Sequence, residues 1–295
     1  MRASNRPLWL ALLLVCVLPG CKQPHTPLVR SMKRVSIGGV DVQEVTFPSK
    51  SLGRPMRYLV LLPANYSDEP TVRYPTLILL HGGFGSPEDW LRSSHLGAYA
   101  QGLALVVVMP QGDNSYYVNA ALRPADRYQD YMVDDLPSDL EAHYRTAPTN
   151  TAIAGVSMGG FGALNLGLKH PDQYWFVGSI SNAADVPNRR FVFRRFRQSW
   201  RLRKTFGPEG SALRREKDPF VVIRSVTDPK RAPFVYQACG EADSLLGVNR
   251  QLNQALDSAH IRHVYRESPG GHDWNYWDRA LSDMFSLLKQ RGGPG

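Results

Sequence analysis

Short unbroken apolar runs, each stopped by Gly, Ser or Asn, recur along this chain: TLILLHGG (76–83), LALVVVMPQG (103–112), TAIAGVS (151–157), WFVGSISN (175–182) and FVYQACG (234–240). Apolar runs of that length, without polar alternation, suit strands buried on both faces of a parallel sheet. Segments with helical spacing lie between them. SPEDWLRSSHLGAYAQG predicts a helix over 86–102, opened by Ser86 and Pro87 and stopped at Gly102. VDDLPSDLEAHY (133–144), GFGALNLGLKHPDQY (160–174) and SLLGVNRQLNQALDSA (244–259) predict three more helices. RHVYRES (262–268) adds a strand, and DWNYWDRALSDMFSLLKQ (273–290) a closing amphipathic helix. Ahead of this series, VDVQEVTFPS (40–49) and RPMRYLVLLP (54–63) read as two strands joined by a short turn, an antiparallel opening. The alternation predicts an α/β protein with a mostly parallel sheet and helices on both faces. No internal repeat and no internal linker divides this body, so 35–290 is expected to be one domain.

The N-terminus has a different character. MRASNRP is basic, Leu8 to Leu18 is an apolar run of 11 residues, and LPGC closes it at Cys21. The run is too short to span a bilayer comfortably and predicts an export signal over 1–20. LPGC resembles the lipobox of bacterial lipoproteins, with Leu18 and Gly20 placed around Cys21; Pro19 departs from that pattern. The resemblance implies removal of the signal, acylation of Cys21, and a protein held by lipid to the cell envelope, periplasmic or on the outer face of a membrane. A plain cleaved signal and an uncleaved anchor are the alternatives. Residues 21–34 are then the lipidated cysteine and a polar linker. Of the three cysteines, Cys16 leaves with the signal and Cys21 carries lipid, so Cys239 has no partner for an intramolecular disulfide.

Composition adds a boundary and one anomaly. At 295 residues, 43% hydrophobic and 21% charged, the chain has the material for one large core and not the composition of a disordered one. The formal charge of +9 falls to +7 without Arg2 and Arg6, and much of the excess lies in NRRFVFRRFRQSWRLRK (188–204). A basic, aromatic-rich segment of this kind can meet anionic lipid or an acidic substrate, but such a run is more often a solvated helix face with its aromatics turned inward. No recognition module accompanies the charge, so nucleic acid is not an expected partner. The segment reads as an insertion, over 188–220, above the strand ends.

Candidate chemistry collects at those strand ends, where open α/β sheets build their sites. Ser157, in IAGVSMGG, follows a strand and precedes a helix. A nucleophile elbow needs this placement, with small neighbours such as Gly155 and Gly159 leaving room for a strained serine. The helix start behind it offers free N–H groups to a developing oxyanion. His272, in SPGGHDW, sits in the loop between the last strand and the closing helix, and is preferred as base over His170, His260 and His263. Asp243, in CGEADSLL, follows the strand FVYQA. It is preferred as the acid over Glu241 on the same loop and over Asp273, which adjoins the histidine. The order Ser157, Asp243, His272 is that of the Ser–acid–His hydrolases on α/β sheets. LLHGGFGS (79–86) supplies a glycine loop after an earlier strand, with the N–H of Gly83 and that of Met158 as the expected oxyanion donors.

Together LLHGGFGSPEDW, MPQGDNSYYV, GVSMGGFGAL, CGEADSLL and GGHDWNYW resemble the esterase D / S-formylglutathione hydrolase branch of the α/β-hydrolases, itself similar to mycolyltransferases and to feruloyl and acetylxylan esterases. The resemblance runs from about Val42 to Leu288 and implies the α/β-hydrolase fold. It implies Ser157 as nucleophile, Asp243 as acid, His272 as base, and the backbone of Gly83 and Met158 as oxyanion donors. Trp274 follows the histidine as in that branch and is expected to pack the loop. Asn114 and Tyr117 match a loop bordering the branch's acyl or alcohol pocket; ordinary turn and core positions are the other account of them. Two departures stand out, the export signal and the basic insertion, and the first argues against glutathione thioesters as natural substrates.

The expected function is an exported serine esterase acting on small-molecule or carbohydrate esters through an acyl-serine, with no cofactor and no metal. An acyltransferase moving the acyl group to an envelope sugar or lipid is the enzymatic alternative. A non-catalytic binding protein on a hydrolase scaffold is the alternative from another class.

Overall fold

The computed structural model describes residues 29–68, 70–190 and 192–291. The expected signal and Cys21 lie outside the described residues. Nine strands form one sheet: β1 (Ser31–Ile37), β2 (Val40–Ser49), β3 (Arg54–Leu61), β4 (Tyr74–Leu80), β5 (Val106–Pro110), β6 (Thr146–Val156), β7 (Tyr174–Ile180), β8 (Phe234–Gly240) and β9 (His263–Ser268). Their spatial order is β1-β2-β3-β5-β4-β6-β7-β8-β9. The β1–β2, β2–β3 and β3–β5 pairs are antiparallel, and every pair from β5 through β9 is parallel. This is the α/β-hydrolase fold.

The helices are α1 (Asp89–Arg92), α2 (Leu96–Ala100), α3 (Tyr128–Asp130), α4 (Leu136–His143), α5 (Met158–Lys169), α6 (Phe196–Phe206), α7 (Ala212–Arg215), α8 (Pro219–Arg224), α9 (Leu246–Ser258) and α10 (Trp274–Arg291). None among the described residues is long and apolar enough to cross a membrane.

The alternation hidden inside the apolar runs becomes visible as two cores. Ile78, Leu80, Val106, Val108 and Ile153 join one face of the sheet, with Leu164 of α5 packed there. Leu77, Leu79, Val107, Met109 and Ala154 join the other, with Leu281 and Met284 of α10. Burial on both faces is why these strands carry no polar period.

Three expectations change. β1 begins at Ser31, inside the stretch expected to be linker. It is an edge strand whose residues are largely exposed, so no apolar pattern marks it, and its seven backbone pairings with β2 define it instead. The helix expected over 86–102 is two short ones, α1 and α2. Ser94 Oγ–H donates to Trp90 O at 2.5 Å, and the His95 N–H donates to Asp278 Oδ1 of α10 at 2.7 Å, which turns the chain between them. The helix expected over 133–144 begins earlier and passes through a single π-helical segment, Tyr131–Asp135, before α4.

β4 lies at the sheet's centre, and the chain leaves it first toward β5 and later returns on its other side as β6. Such a reversal of strand order is the place where open α/β sheets accept ligands. Close packing there is strict: a side-chain carbon on Gly159 would run into the Leu80 carbonyl, and one on Gly155 into the Gly159 backbone. Gly159→Ala is therefore expected to lower unfolding free energy by about 1–3 kcal/mol, the usual range for overpacking, as read from urea midpoints.

Candidate active site

Ser157 stands between β6 and α5 with φ 55° and ψ −113°, a left-handed conformation for a residue with a side chain. Such strain persists only where surrounding bonds hold it. Here the Ser157 N–H donates to Ile180 O at 2.8 Å, and Ser157 O accepts from Phe161 N–H at 3.0 Å. The hydroxyl is thereby presented above the ends of β4 and β6.

His272 reaches it from the loop after β9. The Ser157 hydroxyl donates to His272 Nε2 at 3.0 Å, and His272 Nδ1–H donates to Asp243 Oδ2 at 2.9 Å. An ionised carboxylate only accepts, so its position fixes the proton on Nδ1 and leaves Nε2 free to accept. The Asp243 side chain is fully buried. Burial pushes its carboxyl upward, but hydrogen bonds from His272, the Leu245 N–H and Ser181 outweigh that effect and hold it below its ordinary value. Glu241, the rival acid, is exposed. Asp273 is occupied at the start of α10, where its Oδ1 accepts from the Tyr276 N–H at 3.1 Å.

Gly83 and Met158 face each other across the site: a side-chain carbon placed on Gly83 would lie 4.0 Å from Met158 Cβ. Neither N–H donates to an acceptor among the described residues. Two such amides beside the Ser157 hydroxyl offer donors to a negative charge placed there.

Asn114 and Tyr117 part company. Asn114 Oδ1 accepts from the Phe84 N–H at 2.6 Å, so it braces the glycine turn next to Gly83. Tyr117 is buried, and its hydroxyl donates to His81 O at 3.0 Å while its ring fills the space left by Gly112 and Gly162. It is therefore a core residue and cannot line a pocket. Trp274 packs edge-on against Trp90 and Trp277.

Three contributors escape a sequence reading. His81 is fully buried: Nδ1–H donates to Gly82 O at 2.7 Å, and Nε2 accepts from the Gly112 N–H at 2.9 Å. It ties the glycine turn to the loop after β5, and only the neutral ring can make both bonds. Burial holds its pKa below the ordinary histidine value. Ser181, buried with φ 48°, accepts from Trp277 Nε1–H at 3.0 Å and supports the Asp243 carboxylate from behind. Trp277 meets the His272 ring edge-on at 4.9 Å. A sequence signal existed for His81 alone, a histidine immediately before the glycines. Among the described residues, no group of three or more His, Cys, Asp or Glu side chains is arranged to hold a metal ion.

A nucleophile-type serine on a strained turn, linked to a histidine and a buried carboxylate on an α/β-hydrolase sheet, defines the general class. The family model described as Putative esterase matches residues 49–288, and the chain belongs to that esterase family. It is 27% identical over 266 residues to an acetyl esterase of Caldicellulosiruptor saccharolyticus, covering 84% of this chain and 98% of that protein. It is 25% identical over 292 residues to a diacylglycerol acyltransferase/mycolyltransferase of Mycobacterium leprae (strain TN), covering 87% of this chain and 86% of that one. Among solved structures, an S-formylglutathione hydrolase from Agrobacterium tumefaciens superposes with a TM-score of 0.74 at 20% identity, covering 88% of this chain and 98% of that one, and shares the fold.

The neutral state of His81 has a measurable cost in acid. Its folded pKa lies below the ordinary value of 6.5, so the unfolded chain binds the proton first. Its contribution is whole above about pH 6.5 and is lost as pH falls toward the folded value. His81→Gln is expected to cost about 1–3 kcal/mol at neutral pH and to lose less stability than wild type between about pH 7 and about pH 5. Denaturant melts of both chains across that range check it.

Proposed function

We propose that this chain is a serine esterase that cleaves carboxylic esters through an acyl-Ser157 intermediate. What supports this is the relay of 3.0 and 2.9 Å hydrogen bonds from Ser157 through His272 to buried Asp243. Ser157 Oγ attacks the ester carbonyl while His272 Nε2 accepts its proton. The oxyanion that forms is received by the N–H groups of Gly83 and Met158. Asp243 stabilises the imidazolium without taking its proton. The C–O bond to the alcohol then breaks, and Nε2–H protonates the leaving oxygen. Water repeats the sequence on the acyl-enzyme: it gives a proton to Nε2, attacks the acyl carbon, and releases the acid and Ser157.

Small-molecule or carbohydrate esters are the proposed substrates. The name of the Caldicellulosiruptor relative argues for beginning with acetyl and other short acyl groups. The name of the Mycobacterium leprae relative favours one alternative, transfer of the acyl group to an envelope sugar or lipid instead of water. Both share the acyl-enzyme and differ only in the acceptor, so adding alcohol acceptors to a hydrolysis assay separates them by product. Export and lipid attachment through Cys21 complete the proposal, supported by the basic start, the apolar run and LPGC. Several acyl chains hold a protein firmly, at about 0.8 kcal/mol per buried methylene.

Two outcomes test the mechanism and a third the anchor. Ser157→Ala is expected to lose fluorophosphonate labelling and to lower kcat on short-chain p-nitrophenyl esters about a millionfold. Asp243→Asn is expected to lower kcat about ten-thousandfold, whereas Glu241→Gln leaves it unchanged; the reverse pattern would reassign the acid to Glu241. For the anchor, Cys21→Ser is expected to abolish incorporation of labelled palmitate in growing cells.

A further inference from the structure

The basic insertion does not turn all its aromatics inward. In α6, Leu202 and Phe206 are buried and pack with Val118, Phe161 and Val186, which fixes the helix to the body. The opposite face carries Phe196 at 52% exposure and Trp200 at 44%, one turn apart and stacked at 6.3 Å with an interplanar angle of 6°. Lys204 follows one turn later, its ammonium 5.4 Å from the Trp200 ring. Phe193, just ahead of the helix, is 83% exposed. Across the gap, Phe84 is 80% exposed beside Gly83, and the Arg201 guanidinium lies over its ring at 4.9 Å. An exposed aromatic cluster of this size marks an interaction surface.

Charge narrows the partner. Between Asn188 and Phe206 the chain has eight basic residues and no acidic one. Arg194, Arg195 and Arg197 are exposed around the aromatic stripe. Aromatic side chains at headgroup depth, with arginines reaching lipid phosphates, are the chemistry of a helix lying in an anionic bilayer surface. The bases of a nucleic acid stack on such rings as well, but no recognition module accompanies the charge in this chain.

We propose that the outer face of α6, with Phe193 and Phe84, docks the folded body on an anionic lipid surface and so turns the mouth of the Ser157 site toward the membrane. Docking is independent of the proposed Cys21 anchor, and its measurement reads no turnover, so it stands or falls separately from the esterase assignment.

The test uses the full chain with vesicles of phosphatidylcholine alone, or of phosphatidylcholine with one-third phosphatidylglycerol, brominated in the acyl chains to quench nearby tryptophan. The readout is the difference in quenching between wild type and Trp200→Phe, which is specific to position 200 and is not mimicked by attachment through another part of the chain. That difference is expected on anionic vesicles, absent on neutral ones, and weakened by salt. Each arginine near such a surface favours binding roughly fivefold, so replacing Arg194, Arg195 and Arg197 with Gln is expected to raise the lipid concentration for half-maximal quenching about a hundredfold. Circular dichroism melts confirm that the variants are folded. Equal quenching of wild type and Trp200→Phe on anionic vesicles overturns the proposal. So does tight binding of a soluble polyanion such as heparin with no Trp200-dependent quenching on vesicles, which would assign the face to a polysaccharide or nucleic acid.

Discussion

A single strained residue sets the terms for the rest of this site. Ser157 holds φ 55° because its N–H is bonded to the end of β7 and because glycines on both sides allow α5 to start against the end of β4. Relax that turn and the hydroxyl points elsewhere, whatever else is present. The parallel sheet supplies the rigidity: β4, β6 and β7 are neighbours paired in parallel, so their carboxyl ends lie along one edge of the sheet. Strain of this kind is stored by a scaffold, not by the residues that carry it.

Around Ser157, the polar groups are also braced by side chains and amides that do not touch the serine. Asp243 accepts from the Leu245 N–H at 2.8 Å as well as from His272, with Ser181 behind it. Trp277 links Ser181 to the His272 ring, so the first turn of α10 helps set the imidazole plane. On the other side, Asn114 from the loop after β5 holds the glycine turn, and His81 at the end of β4 ties that turn back to Gly112 of the same loop. Preorganisation of this sort lets donors meet a developing charge without rearranging.

The fold was largely legible because its strands are buried on both faces and its chemistry sits at their carboxyl ends. Ser157, His272 and Asp243 could be picked out since each follows a strand and lies beside small residues. What stayed hidden depends on three-dimensional closeness. Ser181 is an ordinary serine in the sequence, and only the fold puts it behind the acid. Tyr117, which shares a loop with Asn114, reads from the sequence as either a pocket or a core residue; its burial under α5 comes from the missing side chains of Gly112 and Gly162. β1 lacked an apolar pattern because an edge strand earns its place through backbone bonds. The break between α1 and α2 was equally silent, since Asp278, which bends it, is 183 residues away from His95 in sequence.

Cys239, the free thiol of β8, is buried beneath the acid loop, and burial pushes its pKa up to about 12. A thiol is reactive toward disulfides and peroxides only as the thiolate, and in the folded chain that form is scarce at any ordinary pH. The native molecule can therefore pass through oxidising surroundings with its sulfur chemically silent. Opening of β8 would change that at once, exposing an ordinary cysteine that can exchange with disulfides or be oxidised by peroxides. Folding is, for this atom, its protection from oxidation.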